Sequence, residues 1–117
     1  MAPATIKTMS PSADVLDGAA KAGAYVLDVR APWELQDGFI PSAYNMEHGR
    51  ILQGALPEPA PAKDAPIIVY CRSGGRSSMV CKHLVSAGFT NVTNLAGGMT
   101  AWNQAGLPVA SGGVAAA

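Results

Sequence analysis

The chain has 117 residues, and its eight basic and eight acidic side chains give a formal net charge of zero. Hydrophobic residues make up 49% and charged residues 14%, which is the balance of a globular protein and excludes a largely disordered chain. This length predicts one domain over residues 1–117, with a core at about 10–108 and a disordered tail at 110–117. The balanced charge argues against a nucleic acid or a membrane surface as a partner.

Cysteine usage and the amino-terminal segment bear on the cellular compartment. Two cysteines are too few for a disulfide framework, and Cys71 and Cys81 are spaced neither as a C-x-x-C redox pair nor as zinc ligands. The first ten residues lack the apolar core of a secretory signal, and no apolar run reaches the length of a membrane span. We therefore expect a cytoplasmic protein whose thiols stay reduced.

The first part of the chain predicts a strand, a helix and a second strand. Residues 5–9 have the alternating apolar positions of a short edge strand. Ser10 is predicted to cap a helix that runs to about residue 22, because proline follows Ser10 and Gly23 ends the pattern. Residues 25–29 are an apolar run that predicts a central strand buried on both faces.

Two charged residues, Asp28 and Arg30, lie at the end of this central strand. Ligands of a parallel α/β sheet gather at the carboxyl ends of its strands, so both residues are predicted on the same edge as Cys71, in a supporting role. A purely structural role is equally compatible with the pattern. In that case Arg30 pairs with Glu34 to fix the turn, and Asp28 holds the backbone or an arginine near the loop.

The middle of the chain has weaker patterns. Residues 31–38 predict a short helix, with Pro32 near its start and Gly38 at its end. Residues 43–46 predict a brief buried strand. The proline-rich residues 56–66 predict a connector between two halves of one sheet rather than a domain boundary.

The segment 67–88 carries the candidate chemistry. Residues 67–70 are rich in β-branched side chains and predict a strand, Cys71 follows at once, and a helical pattern begins at residue 76 or 77. A thiol at such a junction faces backbone N–H groups that the loop and the first helical turn leave unpaired. Cys71 is therefore a candidate nucleophile.

Three effects favour a thiolate at Cys71. The N–H groups of residues 72–76, turned inward by two glycines, form an anion-binding concavity, the helix dipole adds positive potential, and Arg72 and Arg76 add full charges. We therefore predict that the pKa of Cys71 lies below that of a free cysteine. The alternative, an inert buried cysteine, fits poorly because two arginines, two glycines and three serines crowd the next seven residues.

The last third of the chain predicts a helix, a strand and a final helix. A spacing of 3.6 residues places five side chains in one arc of the first helix, which are Val80, Cys81, Leu84, Val85 and Ala87. Cys81 is accordingly predicted to be a packed core thiol rather than a resolving cysteine. Residues 91–95 predict the last strand, and Gly97 and Gly98 predict a tight entry into a helix that ends near Gly106.

Several of these segments resemble one protein family. CRSGGRSS after IIVY resembles the active-site loop of the rhodanese-like sulfurtransferases. VLDVR at 26–30, followed by Trp33 and Glu34, is similar to the family's first core strand and the acidic residue after it.

Two further segments extend the resemblance to roughly residues 24–108. DGFIPSA at 37–43 is similar to the family's G-H-I-P-G-A segment, with departures at Phe39 and Ser42. LAGGMTAW at 95–102 resembles the family's closing pattern. In this order and spacing the segments make a strong match.

The resemblance implies an α/β fold, a three-layer domain with a mainly parallel five-stranded sheet flanked by short helices. It implies a sulfurtransferase that moves a sulfane sulfur from thiosulfate or a similar donor to cyanide or a thiol, through a persulfide on the catalytic Cys71. Neither a metal nor an organic cofactor is required. The loop residues expected to hold donor and persulfide are Arg72, Ser73, Gly74, Gly75, Arg76 and Ser77.

The resemblance also bears on substrates and partners. Relatives that use mercaptopyruvate have a small residue where this chain has Arg72, so the resemblance favours an anionic, thiosulfate-like donor. Ser73 occupies a position that is basic in some thiosulfate enzymes. The expected acceptors are cyanide, a small thiol, or a thioredoxin-like or other sulfur-accepting protein.

Two other functional classes remain open on the sequence. A rhodanese-like domain can act as a sulfur carrier or interaction module that a protein partner feeds. Phosphatases and arsenate reductases of the same fold place an arginine six residues after the cysteine, where this chain has Ser77. Because Arg76 comes one residue earlier, the loop is predicted to be too small to surround a tetrahedral phosphate.

Overall fold

The computed structural model describes residues 5–111. Its strands are β1 (Lys7–Met9), β2 (Tyr25–Asp28), β3 (Tyr44–Asn45), β4 (Ile67–Tyr70) and β5 (Val92–Leu95). They form one five-stranded sheet in the order β1-β5-β4-β2-β3, and every neighbouring pair is parallel. The predicted α/β fold with a mainly parallel five-stranded sheet is confirmed.

Short helices connect these strands. They are α1 (Ala13–Lys21), α2 (His48–Leu52), α3 (Gly75–Ser86) and α4 (Gly98–Gln104), together with a 3₁₀ helix at Pro32–Asp37. Within the described residues, no helix is long and apolar enough to span a membrane.

The sheet lies between two helical layers because its central strands are apolar on both faces. In β4, Ile67 and Val69 pack on the side of α2 and α3, whereas Ile68 and Tyr70 pack on the side of α1 and α4. All four side chains are buried. Cys71 continues the alternation and faces α3, so the strand itself aims the thiol at the first turn of that helix.

Helix α1 begins later than the sequence predicted. Ser12, and not Ser10, is its N-cap, and the Ser12 hydroxyl accepts a hydrogen bond from the N–H of Asp14 at 3.2 Å. Pro11 therefore precedes the cap instead of occupying the first helical position. A serine lies on each side of Pro11, so the local signals for the two starting points were nearly equal.

Helix α3 begins at Gly75, before the predicted start at residue 76 or 77, and Gly74 is its N-cap. Three residues of the predicted apolar arc are buried, namely Val80, Cys81 and Leu84. Val85 is half-buried at the edge of the same cluster. Placing Ala87 in the arc was wrong, because the helix ends at Ser86 and Ala87 is exposed.

The predicted tail at 110–117 falls partly within the described residues. Ala110 exchanges two backbone hydrogen bonds with Phe39, at 2.9 and 2.8 Å, and its side chain packs against the cluster of Leu35 and Phe39. Ala110 is therefore held against the body of the protein. Residues 112–117 lie outside the described part of the chain.

Candidate active site

Cys71 lies at the carboxyl end of β4, with only 1% of its surface exposed. Its Sγ accepts a hydrogen bond from the backbone N–H of Gly74 at 3.1 Å and lies 3.5 Å from the Ser77 Oγ. Burial raises the pKa of the thiol, but hydrogen bonds from the Ser77 hydroxyl and from the backbone N–H groups of Ser77, Gly74 and Ser73 outweigh it. The pKa of Cys71 is consequently lowered.

The two glycines of the loop have different roles. Gly74 has a φ of 123°, a conformation that residues with side chains rarely adopt. This conformation accompanies the turn that directs the Gly74 N–H at the Cys71 Sγ. Gly75 has no positive φ, and a Cβ built on it meets nothing within 4 Å. The loop therefore requires glycine at position 74 and not at position 75.

The amino terminus of α4 holds the start of the loop. The N–H of Met99 donates to the Cys71 carbonyl oxygen at 2.9 Å, and the N–H of Thr100 donates to the Arg72 carbonyl oxygen at 3.0 Å. A Cβ on Gly98 would lie 2.3 Å from the Cys71 carbonyl oxygen, so only glycine permits this approach. The glycine pair before α4 thus contributes to the position of the nucleophile.

Arg76 is paired with Glu34 of the 3₁₀ helix. Its Nη1 and Nη2 donate to the two carboxylate oxygens at 2.6 and 2.8 Å. The hydrogen bond to Arg76 outweighs burial and lowers the pKa of Glu34 to about 2. Arg76 was expected to help hold the donor and the persulfide, and in the structure both of its terminal nitrogens bind Glu34. Arg72 is exposed, so its charge is open to solvent.

Asp28 and Arg30 form a buried ion pair. Asp28 is 0% and Arg30 4% exposed, and the Arg30 Nη2 donates to Asp28 Oδ2 at 2.7 Å. Arg30 also donates to the carbonyl oxygens of Glu34 and Gly38, at 3.3 and 2.9 Å. The alternative in which Arg30 pairs with the Glu34 carboxylate is wrong, because that carboxylate binds Arg76 and the N–H of Ala31.

The Asp28–Arg30 pair supports the strand that carries Cys71. The guanidinium carbon of Arg30 lies 5.7 Å from the centroid of the Tyr70 ring, and Tyr70 immediately precedes Cys71. Asp28 is the register partner of Tyr70 in the sheet. The pair therefore lies beside the end of β4, as the sequence predicted, and among the described residues it makes no hydrogen bond with the Cys71 Sγ.

One residue of the site was missed at the level of sequence. Asn94 of β5 accepts a hydrogen bond from the Ser77 hydroxyl at 2.7 Å, which links β5 to the cysteine loop. Strand alternation contains the signal, since Asn94 lies two residues after the buried Val92 and so shares the face that packs against α3. A single asparagine in a short strand gives no indication of its partner.

A cavity of about 440 Å³ lies beside the loop. Trp33, Glu34, Arg72 and Met99 contribute to its wall, and Trp33 is 71% exposed. The site therefore combines a buried thiol, inward-facing N–H groups, one solvent-exposed cation and an adjoining cleft.

The comparisons with known proteins agree with this geometry. A family model described as a rhodanese-like domain matches residues 12–105. The chain belongs to this family. A sulfurtransferase of Allochromatium vinosum is 38% identical to it over 86 residues, which are 72% of this chain and 76% of that protein. The chloroplastic thiosulfate sulfurtransferase 16 of Arabidopsis thaliana is 38% identical over 96 residues, covering 74% of this chain and 80% of that protein.

The fold of a solved structure is also similar. The crystal structure of a rhodanese-related protein from Thermoplasma volcanium matches with a TM-score of 0.72 at 27% identity, covering 89% of this chain and 97% of that one. Together with the sulfurtransferase relatives, this match supports a rhodanese-type transferase.

The two departures from the rhodanese-like pattern have structural consequences. Ser42, where the family pattern has glycine, has a φ of 71°, a left-handed conformation that is costly for serine. Phe39, where the pattern has histidine, packs against Leu35 and Ala110. The second departure thus fills a small apolar cluster beside the 3₁₀ helix.

Proposed function

We propose that this rhodanese-like protein transfers a sulfane sulfur from thiosulfate, or a similar anionic donor, through a persulfide on Cys71. The Cys71 thiolate attacks the outer sulfur of thiosulfate, a Cys71–sulfur bond forms, and the S–S bond of the donor breaks. Sulfite leaves with the electron pair of that bond. Cyanide or a thiolate then attacks the outer sulfur of the persulfide, and Cys71 is released as a thiolate.

The observation that carries this proposal is the hydrogen bond from the Gly74 N–H to the Cys71 Sγ at 3.1 Å. It identifies a loop that stabilises negative charge on sulfur, and the lowered pKa of Cys71 is consistent with that role. The same donors are available to the anionic outer sulfur of a persulfide. Helix α3 has 12 residues, and its dipole adds positive potential at the loop.

The charges around the loop support an anionic donor. Arg72 is exposed beside the cavity and can attract thiosulfate from solvent. Arg76 contributes less, since Glu34 neutralises its charge at close range. The name of the A. thaliana relative, thiosulfate sulfurtransferase, supports thiosulfate as the donor.

The cavity bears on the acceptor. Its volume of about 440 Å³ exceeds what cyanide needs, and its wall combines the exposed Trp33 with Arg72. These features favour a larger thiol, either free or presented by a sulfur-accepting protein such as one of thioredoxin type. We propose a cytoplasmic reaction, in keeping with two unpaired cysteines.

Steady-state kinetics with thiosulfate and cyanide test the proposal. A double-displacement reaction gives parallel lines in double-reciprocal plots. Cys71→Ser should abolish thiocyanate formation while leaving the fold intact, and Cys81→Ser serves as the matched control that retains it. Near wild-type turnover by Cys71→Ser contradicts the mechanism. Hydrolysis of an aryl phosphate above that of Cys71→Ser would instead favour a phosphatase.

A further inference from the structure

The Ser77 hydroxyl lies at the centre of a small hydrogen-bond network behind Cys71. Ser77 is 0% exposed, and its Oγ lies 3.5 Å from Cys71 Sγ, 3.1 Å from the Gly74 carbonyl oxygen and 2.7 Å from Asn94 Oδ1. A serine hydroxyl has a single proton to donate and two lone pairs that accept. The partners on its two sides therefore decide where that proton points.

The thiol form of Cys71 fits this network directly. The S–H donates to Ser77 Oγ, and the Ser77 O–H donates to Asn94 Oδ1, the shortest of the three contacts. Every group in this chain of hydrogen bonds has a partner, and the Gly74 N–H still reaches the sulfur.

The thiolate form requires the opposite polarity. A thiolate has no proton to give, so the Ser77 O–H must turn to donate to Sγ, and the thiol proton is lost to solvent buffer. The Ser77 oxygen then needs a donor, but Asn94 Oδ1 is an acceptor. An amide carries NH₂ as well as oxygen, and half a turn about its bond presents Nδ2 to Ser77 Oγ. The Asn94 side chain makes no other hydrogen bond within residues 5–111, so this rotation breaks no hydrogen bond except the one to Ser77.

We propose that Asn94 is a positioning residue for Cys71, whose amide switches between accepting from and donating to the Ser77 hydroxyl as the sulfur changes charge. The proposal rests on the proposed function in one respect, that the thiolate is the attacking species. Asparagine is poorly suited to a strand, and Asn94 lies between Thr93 and Leu95 in β5. Its place next to Ser77 accounts for its presence in this strand.

Other groups that face the thiol stay constant when Asn94 is changed. Arg76 and Cys81 of α3 interact electrostatically with Cys71, and Glu34 neutralises Arg76 from the 3₁₀ helix. Arg72 is exposed at the loop. Neither β5 nor α4 carries a titratable side chain. A change of the Cys71 pKa on substitution of Asn94 is therefore attributable to the network or to the new side chain itself.

Two substitutions separate these causes. Asn94→Asp keeps the size of the side chain but only accepts, so it holds the Ser77 proton away from the sulfur. Asn94→Leu removes both functions without adding charge. In that variant the thiol form retains the Gly74 carbonyl as an acceptor for Ser77, whereas the thiolate form has no replacement donor for Ser77 Oγ. Both substitutions should therefore raise the pKa of Cys71.

The test is the pH dependence of iodoacetamide alkylation of Cys71 in the full chain, measured by mass in a Cys81→Ser background. At a pH below the pKa of the wild-type Cys71 thiol we expect Asn94→Asp to slow alkylation at least about tenfold and Asn94→Leu about threefold, with the rate restored at high pH, since one pKa unit there is tenfold in thiolate population. Asn91→Asp makes the same chemical change at the residue just before β5 and should leave the pH profile of alkylation unchanged.

A double-mutant cycle with Ser77→Ala decides whether Asn94 acts through Ser77. In the Ser77→Ala background, Asn94→Leu should not shift the pKa of Cys71 any further. Asn94→Asp should retain only the part of the pKa shift that its negative charge causes. The proposal is overturned if Asn94→Leu shifts the pKa of Cys71 equally with and without Ser77→Ala. It is also overturned if Asn94→Leu leaves the pH profile of alkylation unshifted. If Asn94→Asp does not fold, Asn94→Leu alone completes the cycle. Alkylation needs no sulfur donor, so this test does not depend on the proposed sulfur transfer. If the proposed sulfur transfer is wrong, the wild-type protein forms no persulfide, which is a separate observation.

Discussion

The Arg76 guanidinium and the Glu34 carboxylate form a two-pronged ion pair, with N–O distances of 2.6 and 2.8 Å across 42 residues of sequence. The pair connects the first turn of α3 to the 3₁₀ helix that follows β2. It therefore fixes the outer side of the cysteine loop. It also cancels one of the two positive charges that the sequence assigned to donor binding.

Glu34→Gln should destabilise the protein in a pH-dependent way. The folded-state pKa of Glu34 is about 2, against an ordinary value of 4.5, so its stabilisation is complete above about pH 4.5 and is lost as the pH falls toward 2. We expect the free energy of unfolding to fall by about 1–2 kcal/mol at pH 7. This is less than the full pKa shift implies, because Arg76 is partly exposed and solvent screens the pair. Urea unfolding of both proteins between pH 7 and pH 3 measures it.

The exposed Glu47 provides the control for this substitution. Glu47→Gln should change the unfolding free energy by less than about 0.5 kcal/mol at either pH. A difference between Glu34→Gln and wild type that stays constant from pH 7 to pH 3 argues against the ion pair as its source.

Arg72→Ala should weaken the binding of thiosulfate. Arg72 is the exposed cation of the loop, and the attraction it exerts acts through solvent. We expect KM for thiosulfate to rise about three- to tenfold at low ionic strength with kcat less affected, and the difference to shrink as salt is added. Arg50→Ala, an exposed arginine of α2, is the matched control. An unchanged KM would mean that the backbone N–H groups alone bind the donor.

Substitutions of the two loop glycines should have unequal effects. Gly74→Ala forces a side chain into a backbone conformation with φ at 123°, so the loop must rearrange and its N–H must leave the Cys71 Sγ. We expect kcat/KM to fall at least about tenfold. Gly75→Ala meets open space and should keep activity within about twofold. Equal loss in both variants contradicts the assigned role of Gly74.

The two cysteines should differ in reactivity. Burial, with the nearby Cys71 adding to it, raises the pKa of Cys81 to about 12, whereas the pKa of Cys71 is lowered. At neutral pH iodoacetamide should therefore modify one thiol per folded chain, and peptide mapping should identify Cys71. Cys81 should react only after denaturation. Modification of Cys81 in the native protein at a rate near that of Cys71 would contradict the opposite shifts of the two pKa values.

Local patterns were sufficient for the strand and loop around Cys71. The β-branched run, the two glycines and the helical pattern that follows are neighbours in sequence, and each has a direct conformational meaning. The close approach of Gly98 to the Cys71 carbonyl oxygen is a tertiary contact, and the sequence around Gly98 predicted only a tight entry into a helix.

Pairings between distant side chains were beyond the sequence. Arg76 had Glu34 as a partner 42 residues away, and Ser77 had Asn94 as a partner 17 residues away. Arg30 had two carboxylates within four residues, and sequence spacing gave no reason to prefer Asp28. The buried position of Asp28, next to the end of β4, decides that choice.

The most direct measurement is the intact mass of the reduced protein after incubation with thiosulfate. We predict that the wild type and Cys81→Ser each gain one sulfur atom, that cyanide removes it as thiocyanate, and that Cys71→Ser gains none. A wild-type protein that gains no sulfur while Cys71 alkylates readily at neutral pH would contradict thiosulfate as the donor. A gain that persists in Cys71→Ser would contradict Cys71 as the sulfur carrier.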